Sequence, residues 1–150
     1  MVKVIMKNAI LFNSYENPAL SALFPFPFFH KDVLWKSIEH FYQYHKLAKA
    51  ETELRQKIIL SFDPYKAKHF GSKKAGGKPR ADYEQVRLQI MRKAIKLSYD
   101  QNPLRQRILK ATKTANLVHL AQWDDFWGWY DGKGQNQFGI LLMQYRDTLK

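Results

Sequence analysis

The sequence predicts a mainly helical single domain with a small β element near its N-terminus. Apolar residues recur at helical spacing in several separate segments, while strict alternation is confined to the first few positions. A length of 150 residues, 45% apolar and 15% aromatic, is enough to bury one real core and argues against disorder.

Val2, Val4 and Met6 alternate with polar residues, and Ala9, Ile10, Leu11 and Phe12 follow as a second apolar stretch, which predicts a short strand or hairpin. Residues 13–32 are rich in Asn, Pro and Phe and read as an ordered aromatic loop, because the prolines forbid a long helix and the phenylalanines need cover. A helix starts near Ser37, its N-cap, with Ile38, Phe41, Tyr42 and His45 on the buried side and Glu39 in the first turn. A second helix covers residues 51–61. Asp63 and Pro64 then mark a break, and residues 66–80 read as a mobile, Gly-rich basic loop.

Asp82 followed by Gln85 resembles a capping box, and Tyr83, Val86, Ile90, Ala94 and Leu97 form an apolar stripe that ends near Tyr99. Asn102 and Pro103 supply a cap and a proline at the first helical position, opening a shorter helix through Leu104, Ile108 and Leu109. Phe138, Leu141, Leu142, Tyr145 and Leu149 place the last helix at 138–149. No internal repeat or long linker interrupts this order.

Cysteine is absent, which excludes disulfides and thiolate metal sites and fits a reducing cytoplasm. The greasiest segment, residues 22–29, is short and broken by Pro25 and Pro27, so neither a membrane span nor an export signal is expected. A formal charge of +12 points to anionic partners. Lys66, Lys68, Lys73, Lys74, Lys78 and Arg80 form one acid-free run, and Arg105, Arg107, Lys110 and Lys113 lie in another. Such runs are either solvated faces or a track for polyphosphate or nucleic acid.

Residues 123–136 concentrate carboxylates, aromatic rings and the turn Gly132, Lys133, Gly134, a mixture suited to a sugar-phosphate pocket. They lead into the last helix, whose opening N–H groups are expected to be unpaired and open to phosphate. Trp123, Trp127 and Trp129 cannot all face inward on so short a segment, so at least one is expected to be free to stack. Asp124 and Asp125 either cap turns or act as site carboxylates. Spacing alone reads Glu39 as a solvated carboxylate favoured by the helix dipole, and its place beside His40 among aromatics also suits catalysis. Glu39, Gln43 and Lys46 share one helix face.

His30, His40, His45, His69 and His119 show no metal-ligand spacing, no serine sits in a nucleophile elbow, and the Gly-Lys-Gly turn is too short for a Walker loop. No metal and no cofactor are expected.

Taken in order, these motifs resemble the NADAR family, the YbiA-like N-glycosidases, over most of the chain. Residues 21–28 are similar to the family's Ser-Asn-Phe-Tyr-Pro-Ser-Pro-Phe segment, and residues 35–46 to its Trp-Pro-Thr-Ser-Glu-His-Tyr-Phe-Gln stretch and following lysine. Residues 89–94 resemble the Gln-Val-Met-Arg-Lys-Ala helix, and residues 109–118 the Leu-Leu to Leu-Val stretch. Trp127, Gly128, Gly132, Lys133, Gly134, Asn136, Gly139, Leu142, Met143 and Arg146 match the closing motif. Ala22 and Leu23 replace the family's Asn and Phe, His119 replaces a Glu, and Trp129 and Tyr130 replace the usual Asp-Gly.

The resemblance implies an orthogonal helical bundle that hydrolyses the N-glycosidic bond between ribose C1′ and a base nitrogen. Its implied substrates are ADP-ribose on guanine in nucleic acid, or phosphorylated ribosylamine intermediates of riboflavin biosynthesis. A DNA ADP-ribosyltransferase is the implied functional counterpart of the first. The site carried over has Glu39 and Asp125 as catalytic carboxylates, and Phe24, Trp35, His40, Trp127, Gly132, Lys133, Gly134 and Asn136 in substrate binding. The basic run adds Lys73, Lys74, Lys78 and Arg80 as nucleic-acid or phosphate contacts. A lysine imine at C1′ is an alternative route, and the replaced Asn and Glu positions leave room for a non-catalytic reader of ADP-ribose or nucleic acid.

Overall fold

The computed structural model describes residues 8–149, so Val2, Val4 and Met6 lie outside the described residues. Six α-helices and four short strands are present among those described. The chain divides into two compact units: residues 22–102, and the chain before Ala22 together with the chain after Asn102.

In the first unit, strands β2 (Phe28–His30) and β3 (Val33–Trp35) form an antiparallel hairpin that pairs Phe28 with Trp35 and His30 with Val33. This corrects the aromatic-loop expectation. The turn is made by Lys31 and Asp32, both at positive φ (49° and 62°), the backbone hand that a two-residue hairpin demands. Gln101 then holds the hairpin edge, its Oε1 accepting from Phe29 N and its Nε2 donating to Phe29 O, each at 2.8 Å.

Helix α1 (Ile38–Lys46) starts where its cap predicts: Ser37 Oγ accepts from His40 N at 3.2 Å. Helices α2 (Thr52–Leu60) and α3 (Pro64–Phe70) pack on it around Leu47, Ile58 and Ala67. The first third of the expected mobile loop is thus helix. Pro64 sits at the first helical position behind Asp63, whose carboxylate accepts from Tyr65 N at 2.8 Å, so the pair opens a helix instead of only closing one. The rest of the run is pinned too. Ala48 N donates to Lys78 O and Arg80 N to Lys46 O, each at 2.9 Å.

The long helix α4 (Tyr83–Gln101) buries Ile90, Met91, Ala94, Ile95, Ser98 and Tyr99. Its expected capping box does not form, because the Asp82 carboxylate is taken by Arg80 Nε at 2.5 Å and Nη2 at 3.1 Å.

In the second unit, β1 (Ala9–Phe12) runs parallel to β4 (Asn116–His119), with Ala9 opposite Asn116 and Phe12 opposite His119. The strand expected at 9–12 therefore exists, and its described partner comes from late in the chain. Phe12 stacks on His119 at 5.4 Å and meets Phe138 at 5.9 Å. Helix α5 (Pro103–Ala111) carries Arg105, which is fully buried and donates to Ala19 O and Ser21 O at 3.2 and 2.8 Å. That arginine is an internal tie rather than part of a solvated face. Helix α6 (Gln137–Asp147) completes the unit and packs against β4.

Candidate functional site

The N-terminal half of α1 carries the most unusual side chains of the first unit. Glu39 is only 8% exposed, which corrects the solvated reading, and its backbone N–H donates to Ala22 O at 3.0 Å. Helix α1 is covered nearly all round, so polar residues one step off the apolar stripe are buried with it. Gln43, also buried, donates from Nε2 to Glu39 Oε1 at 2.6 Å. A buried carboxylate held by a buried amide has one fixed rotamer, and the amide donor stabilises its charge. Gly71, which the sequence placed only within a basic loop, makes this possible. A Cβ there would lie 2.0 Å from Gln43 Oε1 and 2.9 Å from Gln43 Cβ.

On the same face Lys46 places its ammonium over the Tyr83 ring, 5.6 Å from the centroid, and the Tyr83 and Tyr42 hydroxyls hydrogen-bond each other. Burial raises the Tyr83 pKa, which keeps that hydroxyl protonated at neutral pH.

His40 and Trp35, expected to bind substrate, are parts of the frame. His40 is 1% exposed, with Nε2 2.9 Å from Ser61 O and Nδ1 2.7 Å from Ser37 Oγ. A carbonyl can only accept, so Nε2 carries the proton and Nδ1 accepts from the Ser37 hydroxyl. Both ring nitrogens are thereby used, and burial lowers the His40 pKa. Trp35 is buried among Phe41, Tyr44 and His45. Phe24, by contrast, is only partly buried and rests on Phe26 at 5.3 Å.

In the second unit, residues 123–136 fold into a closed loop ahead of α6. Asp124 caps its own turn, with Oδ1 accepting from Phe126 N and Trp127 N at 3.2 and 2.9 Å. Asp125 is exposed, and Lys133 Nζ lies 3.7 Å from its Oδ2. Of the three indoles Trp127 and Trp129 are each 8% exposed and Trp123 is 91% exposed, so the ring left free to stack is Trp123.

The Gly-Lys-Gly segment is a tight turn: Tyr130 N donates to Lys133 O and Lys133 N to Tyr130 O, with Asp131 and Gly132 at positive φ. Gly134, at φ 130°, is packed so closely that a Cβ would lie 2.3 Å from Gly128 O.

The phosphate site expected at the start of α6 is closed. Gln137 N and Phe138 N donate to Phe126 O and Trp127 O at 3.1 Å each, while Asn136 N reaches Gly128 O at 2.9 Å. The preceding chain curls over the helix end and supplies the carbonyls that a phosphate would otherwise replace. The Asn136 side chain is also committed, accepting from His119 N and donating to Leu117 O, both at 2.9 Å.

The basic candidates differ among themselves. Lys73 and Lys74 sit exposed in a 3-10 turn and Lys78 is exposed, whereas Arg80 is half-buried and held by Asp82. No described helix is long and apolar enough to cross a membrane.

The NADAR domain family model matches residues 6–150, and the chain belongs to that family. The N-glycosidase YbiA of Shigella boydii is 34% identical over 117 residues, covering 77% of this chain and 71% of that protein. The chloroplastic riboflavin biosynthesis protein PYRR of Zea mays is 32% identical over 123 residues, but the chain spans only 20% of its length. The solved NMR structure of the Escherichia coli protein YbiA superposes with a TM-score of 0.82 at 30% identity, covering 94% of this chain and 84% of that one.

Proposed function

We propose that this NADAR-family N-glycosidase hydrolyses the bond between ribose C1′ and a base nitrogen, and that its substrate is ADP-ribose attached to guanine in nucleic acid. The observation that carries the reading is the buried Glu39 carboxylate, held by Gln43 at 2.6 Å on a helix whose sequence resembles a family motif.

Breaking a ribosyl N-glycoside builds positive charge on the sugar, and a preorganised carboxylate stabilises that charge without reorganising. Glu39 takes this role and activates the incoming water. The family resemblance alone assigns Asp125 the role of a second carboxylate that orients water or a ribose hydroxyl. Lys133, which is exposed, serves phosphate through its ammonium alone, since the helix start beside it is closed. Lys73, Lys74 and Lys78 extend toward the nucleic-acid backbone. These acid-free, exposed cations favour the polyanionic substrate over a small ribosylamine phosphate, which offers a single phosphate.

Lys46 supports a second route to the same products. It shares the Glu39 face of α1, and its amine can capture an opened ribose as an imine at C1′, releasing the base before water frees the sugar.

The decisive experiment incubates the chain with an ADP-ribosylated guanine oligonucleotide and, separately, with phosphorylated ribosylamine intermediates of riboflavin biosynthesis. Release of ADP-ribose from the first supports the proposal, and turnover of the second alone replaces the substrate. Glu39→Gln and Asp125→Asn should each lower turnover by roughly 100-fold or more. A chain that binds ADP-ribose but turns over neither substrate is a reader. Borohydride trapping, repeated with Lys46→Arg, separates the imine from direct hydrolysis.

A further inference from the structure

The first unit contains a half-open cavity of about 290 Å³ lined by His30, Lys31, Phe41, His45, Arg80, Val86, Gln89, Ile90 and Lys93. The hairpin turn supplies His30 and Lys31, α1 supplies Phe41 and His45, and α4 supplies Gln89 and Lys93. Glu39 is not among the lining residues. It precedes Phe41 by two positions, which puts it about 200° round the helix from that ring.

Three basic side chains, Lys31, Arg80 and Lys93, line this space, and no carboxylate does. Asp82 engages Arg80 through Nε and Nη2 from an exposed position outside the lining. Lys31 and Lys93 make no ion pair among the described residues, and both are close enough to His30 to disfavour its protonation. Burial acts in the same direction on both imidazoles, lowering His30 and bringing His45 to about 4. Arg80 is matched by Asp82, so the charge in the recess that lacks an ion-pair partner among the described residues is that of Lys31 and Lys93, and an anion bound there relieves their repulsion. The floor is aromatic: Phe41 meets His45 at 4.1 Å and His30 at 5.9 Å between centroids. The volume lies at the lower end of ligand pockets, about 300–1,000 Å³, which suits one phosphorylated sugar or one nucleotide unit.

We infer that this cavity is a second anion site, separate from the Glu39 face, that binds a phosphate monoester or diester between Lys31, Arg80 and Lys93. The phosphate comes either from a free small molecule or from a nucleic-acid strand, and the two sources make the same contacts.

The test uses the full chain, following the imidazole NMR signals of His30 and His45 at neutral pH. Inorganic phosphate, pyrophosphate and a thymidine trinucleotide are titrated separately, each against sodium chloride of equal ionic strength. Saturable shifts beyond the chloride control are expected, and they should vanish in Lys31→Glu/Lys93→Glu, whose exposed positions leave the fold intact. An unchanged His40 signal in that variant certifies the frame. Saturation at lower concentration by the trinucleotide identifies a strand, and by pyrophosphate or phosphate a free ligand. The inference is overturned if no anion exceeds chloride, or if the shifts survive the double charge reversal. Repeating the titration with Glu39→Gln separates the two sites: the shifts should persist there even though turnover is lost.

Discussion

Gln43 Nε2 donates to Glu39 Oε1 at 2.6 Å across one turn of α1, and Gly71 is the residue that leaves Gln43 room to do so. The carboxylate is thus positioned by an amide, and the amide by a missing Cβ. Gly71→Ala should push Gln43 off this geometry. Overpacking of this kind costs about 1–3 kcal/mol of stability. Displacing a reacting group by about 1 Å costs roughly 100-fold in rate, so kcat should fall by that order while KM changes little. Urea unfolding and steady-state kinetics on one preparation check both. A Gly71→Ala enzyme with normal kcat removes Gln43 from the positioning of Glu39.

Asn136 is the matching point in the second unit. Its left-handed backbone (φ 51°) turns the chain into α6, and its side chain ties that turn to both Leu117 and His119 of β4. Gly139 beneath it admits no side chain, because a Cβ would sit 2.2 Å from Leu117 O. Asn136→Gly keeps the backbone hand and deletes only the amide. Two strand groups then lose their partners, at about 1–3 kcal/mol for each one left unsatisfied. The urea midpoint should drop with the slope unchanged. A midpoint equal to that of the parent chain would free Asn136 for a direct part in binding.

Helix periodicity was legible where tertiary packing agreed with it: the Ser37 cap and the Pro103 start stand, while of the α4 stripe Ile90 and Ala94 are buried and Tyr83, Val86 and Leu97 only partly so. Three features escaped for physical reasons. The hairpin turn uses Lys31 and Asp32, residues that rarely take positive φ without the Gly that usually marks such turns. Asp63 and Pro64 are equally a stop and a start, and only the packing of Ala67 decides between them. The start of α6 looked open because local sequence cannot show that the carbonyls of Phe126, Trp127 and Gly128 fold back onto it. The same blindness to long-range burial made Glu39 and Arg105 look solvated. Of the candidate site, spacing showed only that Glu39, Gln43 and Lys46 share a face, the family resemblance singled out Glu39, and the contact of Gly71 with Gln43 carries no signal outside three dimensions.

Acid should destabilise the first unit through its histidines. His45 falls to about 4 mainly because burial disfavours its charged form, although its Nδ1 bond to Phe41 O at 2.8 Å opposes the shift. His40 is lowered for the same leading reason. For a group whose folded pKa is depressed, the unfolded chain takes up protons first, so its contribution is complete above pH 6.5 and declines as pH falls toward the folded value. For His45 the window is pH 6.5 to about 4, and the full loss is about 3 kcal/mol. Denaturation midpoints across that range should fall steadily, and His45→Phe should flatten the slope. Phosphate bound in the cavity that His45 lines should raise the His45 pKa, so the window narrows from its lower end and the acid loss shrinks.

Salt distinguishes the two substrate readings most directly. A nucleic-acid substrate releases counterions on binding, so the logarithm of kcat/KM should fall linearly with the logarithm of salt concentration. Lys73, Lys74 and Lys78 are exposed, and the bonds that tie Lys78 to Ala48 and Glu51 run through its backbone, so replacing the three side chains by Gln leaves Glu39 where it stands. Each lysine that contacts a phosphate should reduce the magnitude of the salt slope by about 1 when replaced by Gln. The triple variant is therefore expected to cleave an ADP-ribosylated oligonucleotide more slowly at low salt and to approach the parent rate at high salt. With free ADP-ribosyl-guanosine as substrate, parent and variant should behave alike. Equal slopes on the oligonucleotide would assign these lysines to solubility and return the smaller ribosylamine phosphates to the front.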